Sequence, residues 1–550
     1  MDDDALNMSC SVKSVYNLTD PFIVENETSK AFGLGTIMGI MISFVGNIIL
    51  SLGYFTKKPS ITTDSLDNKI LLRTLVLMIL VAISPILIMF ITFGILYKLL
   101  CSVIIKLKDQ SFVKFLDSFD VFWFLEGDSV INILGVIETE SPELLVENMR
   151  HRLENLYEKG TCDKIFYRRN EDYGFYYWRK NSVIDMSEYV EMLEMPDKCV
   201  LNERDLENIM TDLSSQPLPY NDEGLFKIVI TKQRVSNNNN EREEFGIIIR
   251  IHHSVGDGVA LIDFLCESLA DKGQSFKNAF NISEFRNRNT PDDLVKMITK
   301  LCEIPLCVVD LILRKPDENS LHGPTLLGVK HFKWTTSDEN LLIMIKEIKE
   351  NVKLNFFDVI CTALAGGLNN YFNKTMTHVP EDVAVIVPIR FPPTTVPRED
   401  RNKLNNDFTV AMFDLPVNEH KNINKMKSRF ADFKLNNEYL ANYYILKLAS
   451  IFPKQILKPI FFSSQATVTL SNMPGPDVLT VCGGTLKKLV FFLPLKGISG
   501  VGVSAFCYGG VLRLALSVDV ALVPNADDLD FILEGMVDEI RRMHELYAKK

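Results

Sequence analysis

The chain has 550 residues, 47% of them hydrophobic and 23% charged, and a formal net charge of -11 at pH 7. This length and balance exclude a disordered chain and fit a globular protein of more than one lobe that carries some membrane segment. The acidic balance, without a Lys/Arg stripe interleaved with aromatics, excludes a general nucleic-acid binder, whose footprint would be basic.

Residues 1–30 form a polar, acidic tail with Asn-x-Ser/Thr sequons at Asn7, Asn17 and Asn26. No basic segment precedes an apolar core there, so a cleaved signal peptide is not expected. Residues 31–55 carry no charge, and at 1.5 Å per residue they can cross roughly 30 Å of hydrocarbon. They predict a transmembrane helix. A polar loop through Asp64, Asp67 and Lys69 follows, and residues 75–97 predict a second span with Pro85 near its middle. The region 31–98 therefore reads as a two-helix hairpin that returns the N-terminus and the bulk of the chain to one side of a membrane.

From residue 111 the pattern is α/β. A strand is predicted at 132–137, a helix at 143–156, and strands at 225–235 and 245–253 joined by an asparagine-rich hairpin tip. Residues 111–277 make a first lobe. A connector spans 278–330; within it, 294–313 is apolar but interrupted by charge, an inter-lobe helix or an amphipathic helix on a membrane surface. Residues 331–550 make a second lobe, with a helix at 359–372 and strands at 383–388, 408–415, 467–470, 500–507 and 511–518.

The ten cysteines are scattered singly, without a C-x-x-C pair or a Cys/His cluster at zinc spacing. They read as small buried hydrophobes of a reducing compartment. The stretch that concentrates chemistry is His252-His253-Ser254-Val255-Gly256-Asp257-Gly258. An apolar strand gives out there onto a tight turn, and the apolar face of a helix follows at 259–265. A rigid strand fixes an imidazole while the loop leaves it reachable. Adjacent strand residues face opposite ways, so His252 and His253 do not suit one metal ion, and no metal site is expected. Gly-x-Ser-x-Gly is absent, and Ser504 lacks the second glycine, which disfavours a serine nucleophile.

The spacing His-His-x-x-x-Asp-Gly resembles the active-site motif of the CoA-dependent acyltransferase superfamily. Together with Leu321-His322-Gly323-Pro324, Val387-Pro388-Ile389-Arg390, Ser471-Asn472-Met473-Pro474-Gly475-Pro476 and the run from Gly502-Val503-Ser504 to Ala521-Leu522-Val523-Pro524, it resembles the bifunctional wax ester synthase/diacylglycerol acyltransferase family over residues 111–546. Two positions depart from the family pattern. Its Pro-Leu-Trp falls on Gly224-Leu225-Phe226, and its Asn-Asp pair, whose Asn is implied to assist the reacting carbonyl, falls on Phe357-Asp358.

The resemblance implies an α/β, two-lobed acyltransferase fold of mixed sheets flanked by helices, with a tunnel between the lobes crossing the active site. It implies His253 as the general base, with His252 structural. It implies Asp257 turned inward on an arginine, for which Arg390 is the candidate, and Gly256 and Gly258 shaping the turn. Ser471 and Asn472 are candidates for a tunnel or oxyanion loop. The implied reaction takes an acyl group from acyl-CoA, a co-substrate and not a cofactor, to a long-chain alcohol, giving wax esters. Diacylglycerol as acceptor, giving triacylglycerol, is the nearest alternative, and an inactive lipid-binding relative, favoured by Phe357, is the other. The expected setting is a multi-pass protein of the endoplasmic reticulum or plasma membrane. The sequons favour a lumenal N-terminus and the use of acyl-CoA favours the cytosol; we expect the cytosolic face. Oligomeric state is not legible.

Overall fold

The computed structural model describes residues 64–125, 129–181, 183–236, 243–271, 304, 307, 308, 310, 311, 314–336, 340–391, 404–435, 437–461 and 465–547. The predicted tail with its sequons, the first predicted span at 31–55 and most of 278–313 lie outside them.

The second predicted span belongs to a much longer helix, α1 (Asp64–Lys108), with Pro85 inside it. Asp64, Asp67 and Lys69 are helical, so the loop expected there is corrected; these residues are compatible with a helix and simply polar. Within α1, Ala82–Lys108 is long and apolar enough to cross a membrane, and only 17% of its most apolar window is buried. A core helix would be mostly buried, and this window is mostly exposed. Among the described residues there is thus one candidate span, and the first span of the predicted hairpin lies outside them.

After α1 come β1 (Phe112–Phe115), α2 (Ser118–Leu125), β2 (Val130–Glu138) and α3 (Pro142–Glu158), the last capped by Ser141 with proline in its first turn. Then follow β3 (Arg168–Asp172), β4 (Phe175–Arg179), β5 (Val190–Leu193), β6 (Val200–Leu201), α4 (Glu203–Ser214), β7 (Phe226–Val235), β8 (Glu244–His252) and α5 (Gly258–Phe264). Strands β1, β4 and β3 make a small sheet of their own.

The second lobe contributes β9 (Lys330–Trp334), α6 (Leu341–Val352), α7 (Phe356–Lys374), β10 (Asp382–Arg390), β11 (Phe408–Pro416), α8 (Ile423–Leu435), α9 (Glu438–Leu448) and α10 (Lys454–Phe461). It continues with β12 (Val468–Pro474), β13 (Leu479–Val481), β14 (Gly484–Phe492), β15 (Val501–Tyr508), β16 (Val511–Asp519) and α11 (Asp530–Tyr547). Its sheet runs β11-β10-β12-β15-β16-β9.

The first sheet runs β13-β14-β2-β8-β7-β5. β8 lies inside it, buried on both faces, which is why Ile247-Ile248-Ile249 reads as a continuous apolar run. The lobes are not sequential. Residues 479–492, which the sequence assigns to the lobe at 331–550, leave their own sheet and pair with β2 in the first, Leu489 opposite Gly135 and Phe492 opposite Asn132. Ser504 Oγ on β15 donates to the Phe491 carbonyl on β14 at 2.5 Å, so the serine examined as a nucleophile ties one sheet to the other.

Helices α7 and α11 cross at glycines. A Cβ on Gly367 would lie 2.5 Å from the Ile532 carbonyl oxygen and 2.6 Å from Met536 Cγ. Backbone cannot yield there as a side chain can, so Gly367→Val is expected to destabilise the second lobe by about 1–3 kcal/mol or more. Thermal unfolding of the full chain checks this; an unchanged midpoint would contradict the close crossing.

Candidate active site

β8 ends by splitting the two histidines between its faces. His252 is buried and stacks on Phe124, ring centroids 4.0 Å apart. His253 stacks on Trp123 at 3.6 Å. Both aromatics come from α2, so one short helix holds both imidazoles.

The hydrogen bonds assign a different tautomer to each ring. The Ser254 N–H donates to His252 Nδ1 at 3.2 Å, which makes Nδ1 an acceptor and leaves the proton on Nε2. At His253 the deciding residue is Asn406. Its Nδ2 donates to Asp120 Oδ1 and to the His253 carbonyl, each at 2.9 Å. Its Oδ1 therefore faces His253 Nδ1, 3.2 Å away, and can only accept. The proton sits on Nδ1, and Nε2 keeps the lone pair. Asp120 is itself fixed by Lys164, whose Nζ is 2.8 Å from Oδ2. Burial works to raise the Asp120 pKa, and the Lys164 ammonium works against it.

His253 lines a cavity of about 1160 Å³ between the lobes, larger than the roughly 300–1,000 Å³ of ordinary small-ligand pockets. Ile249, Ile251 and Leu261 come from one lobe, and Ile389, Phe408 and Met412 from the other. Burial in this apolar wall pushes the His253 pKa down to about 3, with Asn406 opposing and the nearby Lys496 and Lys164 charges adding to the fall. Burial also drives His252 well below its ordinary range. Both rings are neutral at physiological pH. Lys496 reaches in beside them, donating to the Phe122 carbonyl at 2.6 Å and lying over the Phe122 ring at 3.9 Å.

Asp257 borders the cavity, but both its carboxylate oxygens are engaged in holding the turn. Its Oδ1 accepts from the N–H groups of Val259 and Ala260 at 3.1 and 3.0 Å, capping α5, and its Oδ2 accepts from the Asp407 N–H at 3.0 Å. Arg390 Nη1 lies 3.6 Å from Oδ1. The Asp257 N–H donates to the Asn405 carbonyl at 3.1 Å. The motif turn and residues 405–407 are thus zipped together across the lobes. Gly256 and Gly258 do not have positive φ; their role is close approach. A Cβ on Gly258 would lie 2.3 Å from Met473 Sδ, and one on Gly256 would lie 3.1 Å from the Ala260 Cβ.

Ser471 and Asn472 line the cavity, but on a strand, not a loop: β12 continues through Pro474, with Ser471 opposite Ser504. The Pro-Gly-Pro turn begins later than the sequence suggests. Phe357 is buried in the second lobe's core, near Phe413 and Phe433, and Asp358 pairs with Lys434 at 2.8 Å. The departure at Phe357 falls on a packing residue. Sequence reasoning missed Asn406, Trp123 and Lys496, which lie far along the chain from the motif or outside any motif.

Asp257→Ala removes a helix cap and the ion pair with Arg390. Stability is expected to fall by about 1–3 kcal/mol, with α5 showing the largest loss of amide-exchange protection. Protection lost elsewhere first would contradict the role of Asp257 as the clasp of this turn.

Residues 404–544 match the family model described as the WS/DGAT C-terminal domain. No curated protein sequence is significantly similar to the chain. Among solved structures, the chain is similar to the wax ester synthase/diacylglycerol acyltransferase from Marinobacter aquaeolei VT8, at 15% identity and a TM-score of 0.53, covering 78% of this chain and 100% of that one. It is also similar to the TRI3 trichothecene 15-O-acetyltransferase from Fusarium sporotrichioides, at 12% identity and a TM-score of 0.53, over 78% and 94%. A third, the epimerization domain from the third module of tyrocidine synthetase B, has 12% identity and a TM-score of 0.50, over 80% and 98%. At these identities the structures establish a shared two-lobed fold. Residues 404–544 are thus similar to the C-terminal domain of wax ester synthase/diacylglycerol acyltransferases, and the chain as a whole shares the fold of one of them.

Proposed function

We propose that the protein is a membrane-bound O-acyltransferase that moves a fatty acyl group from acyl-CoA to a long-chain alcohol, forming a wax ester. The observation that carries this reading is the Asn406-held imidazole of His253 on the wall of a large, mostly apolar cavity. In the reaction, the alcohol oxygen attacks the thioester carbonyl while Nε2 of His253 takes the hydroxyl proton. The tetrahedral oxyanion then collapses, the C–S bond breaks, and the imidazolium returns the proton to the departing CoA thiolate. No covalent enzyme intermediate is needed. A positioned imidazole contributes on the order of 10²–10⁴ in rate.

Donors for the oxyanion are available in the cavity wall at Asn472, Ser471 and Lys496. An inactive lipid-binding protein would have no use for an imidazole with a dictated tautomer, and its best support, Phe357, is a core residue. The reading puts the protein in the endoplasmic reticulum membrane with its lobes on the cytosolic face.

The test supplies membranes containing the full chain with labelled palmitoyl-CoA and either hexadecanol or diacylglycerol. Wax ester is expected, reduced about 10²–10⁴-fold by His253→Ala. Triacylglycerol from the same site would change the acceptor, and no product from folded protein would contradict the reading. Because burial lowers the pKa of His253 from its ordinary 6.5 to about 3, the base is already deprotonated above about pH 4. The rate is expected to show no acid limb near pH 6.5.

A further inference from the structure

α1 does more than run past the lobes. Its Leu87 lines the same cavity as His253, and Ile460 and Phe461 of α10 line it too. Both rim residues are open to the outside, Leu87 40% and Ile460 63% exposed. The helix is docked close by. Phe90 stacks on Phe452 with ring centroids 4.9 Å apart, and a Cβ on Gly94 would come within 2.9 Å of the same Phe452 ring.

The polarity of the surroundings changes along α1. Toward its C-terminus, Lys98 lies desolvated over Phe115 and Lys108 pairs with Asp172 at 2.6 Å, so the charge-free part of the helix ends at Lys98. Residues 74–97 carry no charge. Ile86, Met89, Phe93 and Leu96 are bare on the outer face, each at least 60% exposed. Leu87 is about 16 Å from Lys98 toward the uncharged end, at 1.5 Å per residue. When α1 crosses a bilayer, the side of the cavity at Leu87 opens at hydrocarbon depth.

We propose that the acceptor reaches His253 directly from the bilayer, through an opening between Leu87 of α1 and Ile460 of α10, as a single alkyl chain that never passes through water. The proposal rests on the acyltransferase reading and adds the route and physical state of one substrate. It accounts for three observations at once. The long apolar helix α1 contributes Leu87 to the wall of the cavity, its outer face is charge-free at that level, and an isoleucine is bare on the neighbouring helix. An acceptor that dissolves in lipid gains nothing by leaving it, since each CH₂ moved into water costs about 0.8 kcal/mol.

The test uses the full chain in phosphatidylcholine vesicles with palmitoyl-CoA outside. Two acceptors are compared: hexadecanol dissolved in the bilayer and butan-1-ol in the water. Leu87→Trp narrows the opening and is expected to lower the ratio of kcat/KM for hexadecanol over butan-1-ol at least tenfold. An unchanged ratio overturns the route, whether or not both rates fall together. Wild-type protein that acylates neither alcohol refutes the long-chain-alcohol reading by itself. The route is then decided by a photoreactive diazirine-bearing hexadecanol placed in the bilayer. Labelling of the peptide bearing His253, diminished in Leu87→Trp, supports the route; labelling confined to the outer face of α1 overturns it.

Discussion

The hydrogen bond between Asn406 Oδ1 and His253 Nδ1, 3.2 Å long, decides which nitrogen of the imidazole carries the proton and where the ring points. Its direction is dictated from behind, because both amide hydrogens of Asn406 are committed, one to Asp120 and one to the His253 carbonyl. Asp120 lies on α2, the helix that also supplies Trp123 beneath the ring, and Lys164 neutralises it. The base thus depends on a chain of contacts that begins in one lobe, passes through the edge of the other and returns. Separating the lobes would release the histidine.

That dependence gives the strand exchange its meaning. β14 is inserted into the first sheet beside β2, and the sheets are tied by Ser504 to Phe491 and Ser517 to Leu493. A core shared between them packs Leu134, Val229 and Ile248 against Phe332, Phe492 and Ala515. The cavity can therefore be long and open without the groups at its centre drifting. The zip between Asp257 and residues 405–407 acts locally to the same end.

Much of this was legible in the sequence where the signal was local. β8, the turn and α5 announce themselves by an apolar run, two glycines and renewed helical spacing, and the strands of the second lobe fall within a few residues of their predicted places. β14 was not legible because Lys487 and Lys488 stand side by side at a bulge, breaking the alternation by which a strand is recognised. Nor was Asn406, since its partner lies 153 residues away and nothing in Leu404-Asn405-Asn406-Asp407 marks one asparagine over the next. α1 was read too short because polar residues at its start resemble a loop when periodicity is the guide. Phe357, where the family pattern has an asparagine, is a ring packed in the core of the second lobe, a burial that the motif alone does not reveal.

The most direct test is the side-chain ¹⁵N spectrum of His253 in the intact protein, assigned by comparison with His253→Gln. The account predicts a neutral ring with its proton on Nδ1 between pH 5 and 8, and loss of that single tautomer in Asn406→Ala. A proton on Nε2 in the native protein would contradict the account, because the nitrogen facing the cavity would then have no lone pair with which to act as a base; a ring that titrates near pH 6.5 would contradict the burial of His253 in an apolar wall.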